Sequence, residues 1–152
     1  MYPIRYITIG RPKLGACREL ETHYGDLLKG YARMDLVEIA EAKGSPERQL
    51  KEEAARIRQQ FMGIRCPVLL DAGGPVRSSE AFAKWLGERM DRGESLAFAV
   101  GSSHGFDPEL KSEIREKLSL SPMTFPHDLS RVMFLEQLYR AFTILKGKTY
   151  HK

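Results

Sequence analysis

Short apolar runs alternate with longer amphipathic segments along most of the chain. Runs rich in Ile, Val, Leu and Phe predict four β-strands, over residues 4–9, 36–40, 67–70 and 96–100. Between these runs, apolar side chains recur at helical spacing and predict helices over residues 14–31, 46–61 and 79–90. Strands that alternate with helices form βαβ units, so the pattern predicts an α/β fold with a mostly parallel sheet and helices on both of its faces.

The last third of the chain follows a different plan. Asp107 and Pro108 have the residue types of an N-cap and a first helical position, and Leu110, Ile114 and Leu118 continue an apolar stripe behind them. A Pro-interrupted loop leads into a final predicted helix over residues 129–145, whose apolar arc is wider than packing against one sheet face requires. We therefore expect a partner subunit to cover the second face of this helix.

Length and composition favour a soluble protein with one domain. A chain of 152 residues with 42% hydrophobic side chains can fill a single core, so residues 1–152 are predicted to form one domain. Cys17 and Cys66 are far apart, with neither a CxxC pair nor a histidine at ligand spacing, which disfavours a disulfide and a metal site. No run approaches the ~18 apolar residues of a membrane span, so we expect a cytoplasmic location and no membrane partner.

The net charge of +4 belongs to the tail of the chain. Residues 1–110 contain 16 basic and 16 acidic side chains, whereas residues 111–152 contain 8 basic and 4 acidic ones. Clustered basic side chains are typical of proteins that bind nucleic acid, although so small an excess is also common on proteins that bind no polyanion. Charge alone leaves both alternatives open.

Glycine-bearing loops follow the third and fourth predicted strands, over residues 71–74 and 101–105. A parallel sheet presents the carboxyl ends of its strands to ligands at such loops, and glycine lets the backbone approach a bound group closely. Glycine also simply ends strands in tight turns, and the carboxylate of Asp71 suits either a ribose hydroxyl or a cap for its own loop. Neither loop matches a dinucleotide or P-loop fingerprint, which disfavours those two kinds of nucleotide site.

Side chains suited to binding or reaction are densest at the C-terminus, where Tyr150, His151 and Lys152 follow a polar loop and the final helix. Glu136 and Arg140 are four residues apart and could form an ordinary surface pair worth ~0.3–0.5 kcal/mol. Aromatic and basic groups in one region also suit base stacking and phosphate contact. We therefore expect the functional site to be built largely from this end of the chain, although residues 146–152 would ordinarily be frayed.

The other histidines are weaker candidates. His127 precedes the final predicted helix, where it suits a helix-entry hydrogen bond as well as a reactive role. His104 and His23 have no assembled partner in the sequence, so we expect both to be structural or solvated.

The order of these motifs resembles the bacterial large-subunit ribosomal RNA methyltransferase H family, over residues 4–152. The motifs are L-L-D-x-x-G at 69–74, V-G-x-x-x-G at 100–105, L-S-x-x-T-x-P-H at 120–127, R-x-x-x-x-E-Q-x-Y-R-A at 131–141 and the terminal Y-H-K. Members of this family are SPOUT-class enzymes that use S-adenosylmethionine to methylate N3 of a pseudouridine in helix 69 of the large-subunit RNA. The resemblance implies the same activity, a homodimer and a C-terminal trefoil knot around the methyl donor.

The resemblance also implies site residues. The donor would lie against the following residues, mainly through their backbone groups: Leu70, Gly101, Gly105, Leu120, Ser121, Pro122, Met123, Thr124 and Phe125. Tyr150 and His151 would face the target base. One departure is Ser102, which stands where the family commonly has glycine, and a positive φ at this serine would strain the loop.

A mechanistic hypothesis follows from these residue types. His151 or Glu136 would assist removal of the N3 proton, while Arg131 or Arg140 would position a phosphate or stabilise a developing oxyanion. The acceptor would be large-subunit RNA, free or within the assembled ribosome, and no metal is expected. Two other functions stay open: an α/β enzyme of another class that binds a different adenine nucleotide, and a ribosome-binding module without catalysis.

Overall fold

A computed structural model describes all residues, 1–152. Five strands and five helices follow one another along the chain. The strands are β1 (Tyr2–Ile9), β2 (Ala32–Ile39), β3 (Cys66–Leu70), β4 (Leu96–Val100) and β5 (Glu116–Leu118). The helices are α1 (Gly15–Leu28), α2 (Pro46–Phe61), α3 (Ser79–Asp91), α4 (Pro108–Glu113) and α5 (His127–Leu145).

The strands form one sheet in the order β2-β1-β4-β3-β5, and every neighbouring pair is parallel. Parallel strands need crossover connections, which the intervening helices supply. The predicted α/β fold with a parallel sheet is therefore confirmed. Because all strands run in the same direction, the loops that follow β3, β4 and β5 meet at one edge of the sheet.

Alternating side chains of the central strands fill two separate cores. On β4, Leu96, Phe98 and Val100 face a core of 18 buried residues that also contains side chains of α1, α3 and α5. Ala97 and Ala99 face a smaller core of 11 buried residues, shared with α2 and α4. Burial of one large apolar side chain such as Phe98 stabilises the fold by about 1.5–3 kcal/mol relative to exposure. Helices therefore cover both faces of the sheet, as predicted.

Side-chain caps fix two of the predicted helix starts. Ser45 Oγ accepts a hydrogen bond from the Arg48 N–H at 3.3 Å, and Ser78 Oγ accepts one from the Ala81 N–H at 3.0 Å. Asp107 occupies the predicted N-cap position of α4, but its side chain makes no capping bond. Helix α1 has no cap of its own. Instead, the buried Asp128 of α5 accepts from the N–H groups of Lys13 and Leu14 at 2.8 and 3.1 Å.

Three predicted boundaries are wrong because pairing between distant segments overrides the local pattern. The stripe behind Pro108 predicted a helix to Leu118, but the helix ends at Glu113 and the chain then forms β5 along the free edge of β3. Strand β2 begins at Ala32 rather than at residue 36, because it is an edge strand whose exposed Arg33 interrupts the apolar run. Helix α1 ends at Leu28 rather than at residue 31, because the chain must turn there to enter strand β2.

One side of α1 also differs from the prediction. The helical spacing of its apolar residues indicates one buried stripe, but the side chain of Leu20 is 41% exposed. Leu28 is fully buried, while Tyr24 packs at the margin of the larger core. Helix α1 therefore buries a narrower face than its sequence indicates.

Both cysteines are free and buried, and burial raises the pKa of the Cys66 thiol to about 11. No helix combines the length and the apolar character needed to cross a membrane.

Candidate active site

A cavity of about 210 Å³ opens where β3, β4 and β5 end. Eight of the nine residues that the resemblance assigned to the donor line it: Leu70, Gly101, Gly105, Leu120, Ser121, Met123, Thr124 and Phe125. Pro122 lies in the same loop but does not line the cavity. Three segments that are separate in sequence are therefore brought together at the edge of the sheet where a doubly wound fold binds its ligands.

The loop after β4 is closed by glycine at both ends. A Cβ on Gly101 would lie 2.6 Å from the Gly105 carbonyl oxygen, and Gly105 itself adopts a φ of +80°. The Gly105 N–H donates to the Ser102 carbonyl at 2.9 Å and completes the turn. Ser102 does not adopt a positive φ, so the strain considered for this position is absent. Its side chain is only 8% exposed, and its hydroxyl has no partner within the chain.

The loop between β5 and α5 presents backbone donors to the same cavity. Ser119 and Ser121 stabilise it internally, since Ser119 Oγ donates to the Ser121 carbonyl at 2.9 Å and Ser121 Oγ accepts from the Met123 N–H at 3.0 Å. The N–H groups of Leu120, Thr124 and Phe125 donate no hydrogen bond within the chain. Unpaired peptide donors beside apolar side chains suit a ligand with ring nitrogens and a carboxylate, such as S-adenosylmethionine.

Of the two roles considered for the Asp71 carboxylate, its contacts fit that of a cap for its own loop. Its carboxylate accepts from the Gly73 N–H at 3.4 Å and lies 3.4 Å from the Lys111 ammonium. These contacts hold the loop after β3 in place at the rim of the cavity.

A second cavity of about 470 Å³ adjoins the first and shares the side chains of Leu118 and Leu120 with it. Helices α1, α3 and α5 surround this cavity with mixed apolar and polar groups, among them Tyr24, Phe82 and Glu136. If the first cavity held a methyl donor, a flat aromatic ligand beside it would contact both aromatic side chains and a carboxylate in the second cavity.

The C-terminal residues fold back onto α5 and α3 and form one polar cluster, which we call the tail cluster: Glu80, Glu136, Arg140, Tyr150 and His151. Arg140 forms a short ion pair with Glu136 and also reaches His151 Nδ1 at 3.2 Å. His151 Nε2 lies 2.7 Å from Glu80 Oε1, and the Tyr150 hydroxyl donates to Glu136 at 3.1 Å. These residues are thus docked, contrary to the fraying expected of them, and the Glu136–Arg140 pair is half-buried rather than a plain surface pair.

The contacts define how the tail cluster is protonated. Because a guanidinium can only donate, His151 Nδ1 accepts from Arg140, and Nε2 carries the proton that Glu80 accepts. Burial and the hydrogen bond to Glu136 raise the pKa of Tyr150 to about 12, so this phenol is neutral at physiological pH. The pKa of Glu80 is lowered by its own backbone N–H and by His151. The hydrogen bond to Glu136 raises the pKa of Arg140.

Arg131 is not part of the tail cluster. Its guanidinium is buried, 2.6 Å from Glu21 Oε1, and donates to the Gly10 carbonyl at 2.8 Å. Its predicted contact with a phosphate stays a prediction, and it would require Arg131 to leave Glu21. Lys152 is exposed.

The contacts of His127 are compatible with both expected roles, a hydrogen bond at the start of the helix and a reactive role in the cavity. Its Nε2 is 3.2 Å from the Asp128 carboxylate at the start of α5, and the residue also lines the first cavity. His104 and His23 are exposed.

Sequence reasoning missed the largest concavity, a groove of about 800 Å³ between α1 and the edge strand β2. Its acidic side chains already have cationic partners, for example Glu21 with Arg131 and Glu38 with Arg11. The residues that line it run from Met1 to Leu135, so no local pattern could have indicated it. Of the residues named in the motifs that carry the resemblance, it contains only Arg131, and we place the candidate site at the two smaller cavities.

Comparison with known proteins shows the family of the chain. The family model described as "Predicted SPOUT methyltransferase" matches residues 2–151. The chain belongs to the SPOUT methyltransferase family. Among curated proteins, it is 41% identical to the ribosomal RNA large subunit methyltransferase H of Gloeobacter violaceus, with 97% of each chain covered. It is 33% identical to the protein of the same name from Gemmatimonas aurantiaca, covering 98% of this chain and 99% of that one.

The fold of this SPOUT methyltransferase also resembles a solved structure, that of TrmJ from Z. mobilis. The two superpose with a TM-score of 0.58 at 11% identity, covering 94% of this chain and 70% of TrmJ. The family resemblance stated from the sequence motifs is confirmed by these matches.

Proposed function

We propose that this SPOUT methyltransferase transfers a methyl group from S-adenosylmethionine to N3 of a pseudouridine in helix 69 of large-subunit ribosomal RNA. One observation carries the proposal: eight of the nine residues assigned to the donor, from three separate motifs, line one cavity at the carboxyl edge of the sheet. The names of its full-length relatives support large-subunit ribosomal RNA as the substrate. Such a substrate places the enzyme in the cytoplasm with ribosomes.

The first cavity would hold the methyl donor. The unpaired N–H groups of Leu120, Thr124 and Phe125 would bind its polar edges, and the closed loop at Gly101 would admit its ring beside the backbone. When bound, S-adenosylmethionine supplies an activated methyl group on a sulfonium centre. We further propose that residues 1–152 act as one domain whose C-terminal segment forms the trefoil knot of this class.

The second cavity would receive the target base, with the tail cluster at its margin. Methylation of N3 requires that the N3 proton leaves as the new carbon–nitrogen bond forms, so a proton acceptor must be within reach. In the structure, the only lone pair of neutral His151 accepts a hydrogen bond from Arg140. A phosphate or base oxyanion that drew Arg140 away would free His151 Nδ1 to take the proton, while Glu136 is the alternative acceptor. This step couples substrate binding to activation of the base.

A homodimer would complete the site. The apolar side chains of Leu14, Leu20 and Leu129 are between 39% and 56% exposed on α5 and the start of α1. A second copy that covers them would remove apolar surface from water, which is the main driving force of association. Most of the apolar arc of α5 is already buried within the chain against α1, α3 and the sheet, so a partner would cover Leu129 rather than a whole second face of this helix.

The proposal is tested by transfer of tritiated methyl from S-adenosylmethionine to ribosomes that lack the modification, followed by mapping of the labelled nucleotide. We expect label at one pseudouridine of helix 69. His151→Ala should reduce the single-turnover rate at saturating RNA by about 10²–10⁴-fold, the usual contribution of general base catalysis. An unchanged rate would exclude His151 as the base. Label at another nucleotide, or on no RNA, would contradict the proposed substrate.

Calorimetry separates the alternative functions. We expect S-adenosylmethionine to bind and ATP and NAD not to bind. Preference for ATP or NAD would indicate a different class of α/β enzyme. Donor binding without methyl transfer to any ribosomal RNA would indicate a binding module.

A further inference from the structure

We propose that Arg77 binds a phosphate of the RNA next to the target base, at the wall of the second cavity. The inference rests on the proposed function and adds a residue that the sequence motifs did not indicate. Arg77 lines the cavity together with Glu136 and precedes Ser78, the N-cap of α3.

The guanidinium of Arg77 has no polar partner within the chain. The side chain is half-buried, yet its five N–H donors make no hydrogen bond and no ion pair within the chain. Two carboxylates of this region already have partners, Glu80 with His151 and Glu136 with Arg140. A guanidinium that lies over an aromatic ring and has no carboxylate partner can bind a ligand that supplies an oxyanion.

Arg89 shows what a purely structural arginine looks like in the same place. Both guanidinium groups stack on Trp85, with Arg77 at 5.6 Å and Arg89 at 5.3 Å from the ring centroid. Arg89 also binds Glu94 and Glu116 at 3.2 and 2.8 Å, whereas Arg77 has no carboxylate partner. Trp85 therefore holds the Arg77 guanidinium over its ring, and the N–H groups of Arg77 stay available to a ligand.

The geometry of the guanidinium suits this kind of ligand. Its parallel N–H groups can bind two oxygens of a planar oxyanion at once, as a phosphodiester group offers them. The second cavity adjoins the donor cavity, so a phosphate here would belong to the acceptor nucleotide or its immediate neighbour.

The test uses Trp85, which is the only tryptophan of the chain. Its fluorescence, excited at the red edge of its absorption, should change when an RNA hairpin of helix 69 sequence binds to the wild-type protein. In Arg77→Gln, the hairpin should bind about 10- to 100-fold more weakly, because a hydrogen bond to a charged group is lost. The salt dependence of binding should fall by about 0.7–0.9 in the slope of log K against log salt concentration, since one phosphate contact is removed.

Further measurements separate phosphate binding from other causes. Arg77→Lys should recover part of the RNA affinity, because it keeps the charge but loses the bidentate fork. Arg65→Gln removes an exposed arginine that lines none of the described cavities and should leave RNA binding unchanged. In methyl transfer, Arg77→Gln should raise KM for RNA while calorimetry shows unchanged affinity for S-adenosylmethionine.

Three results would overturn the inference. RNA affinity and salt slope in Arg77→Gln could equal those of the wild type. Arg65→Gln could lose as much affinity as Arg77→Gln, which would indicate a general charge effect. Donor affinity could fall while RNA affinity does not, which would assign Arg77 to the donor carboxylate. Failure of the proposed function is distinct, because it would appear as absence of methyl transfer by the wild-type enzyme.

Discussion

Gly101→Ala tests how closely the loop after β4 is fitted to the donor cavity. The added Cβ would lie 2.6 Å from the carbonyl oxygen and 2.9 Å from the carbonyl carbon of Gly105. To reach an ordinary contact of 3.4 Å, the Gly105 carbonyl must withdraw by roughly 0.8 Å. Both contacts are to backbone, so no side chain can rotate away to relieve them.

The expected cost follows from this displacement. Overpacking of this kind costs about 1–3 kcal/mol, which for a domain of this size lowers Tm by about 2–12 °C. The loop that moves also lines the donor cavity, so the affinity for S-adenosylmethionine should fall at least about tenfold, equivalent to ~1.4 kcal/mol. Calorimetry with the donor and a thermal unfolding scan measure the two effects.

Gly73→Ala is the matched control. Gly73 lies in the loop after β3, has no positive φ, and an added Cβ would meet nothing closer than an Asp71 carboxylate oxygen at 3.6 Å. This variant should keep both Tm and donor affinity. The reasoning is refuted if Gly101→Ala binds the donor as the wild type does, or if Gly73→Ala is equally impaired.

Three further predictions concern stability and ionisation. Arg131→Met should lower the free energy of unfolding by about 3–5 kcal/mol in urea titrations, because Glu21 loses its buried partner. Adding Glu21→Gln to this variant should restore part of the lost stability. If no stability is recovered, loss of the ion pair is not the cause. Gly25→Ala should raise the free energy of unfolding by about 0.5–1 kcal/mol, because this position inside α1 has open space for a Cβ, and a loss of stability would contradict the open geometry. The pKa of Tyr150 is raised from 10.0 to about 12, so the contribution of this phenol to stability is complete below pH 10.0 and is lost as pH rises through about 12. The difference in tyrosinate absorbance between the wild type and Tyr150→Phe should therefore titrate near that upper value. A midpoint at 10.0 would exclude the contact with Glu136.

The sequence predicted the elements whose pattern is local. Strand β4 lies where it was predicted, because all five of its residues are buried and form a continuous apolar run. Helix α2 has the predicted bounds because Ser45 caps it and Pro46 occupies its first turn. Strand β5 was missed because Glu116–Leu118 has only three residues and is a strand through its pairing with β3, some fifty positions earlier.

For the candidate site, too, the sequence predicted the features of short segments but not the contacts between distant ones. The loops that line the cavity could be predicted from the positions of glycine and from the family motifs, because both are properties of short segments. The partners of the key side chains were not, since Glu21 lies 110 positions from Arg131 and Glu80 lies 71 positions from His151. The free guanidinium of Arg77 was equally hidden, because the absence of a partner is visible only in three dimensions.

The central claim is that the cavity at the ends of β3, β4 and β5 binds S-adenosylmethionine. A crystal structure of the protein grown with this donor tests it most directly. The account predicts adenosine density between Gly101 and Thr124, with hydrogen bonds from the N–H groups of Leu120, Thr124 or Phe125. Donor density in the groove between α1 and β2, with this cavity empty, would contradict it.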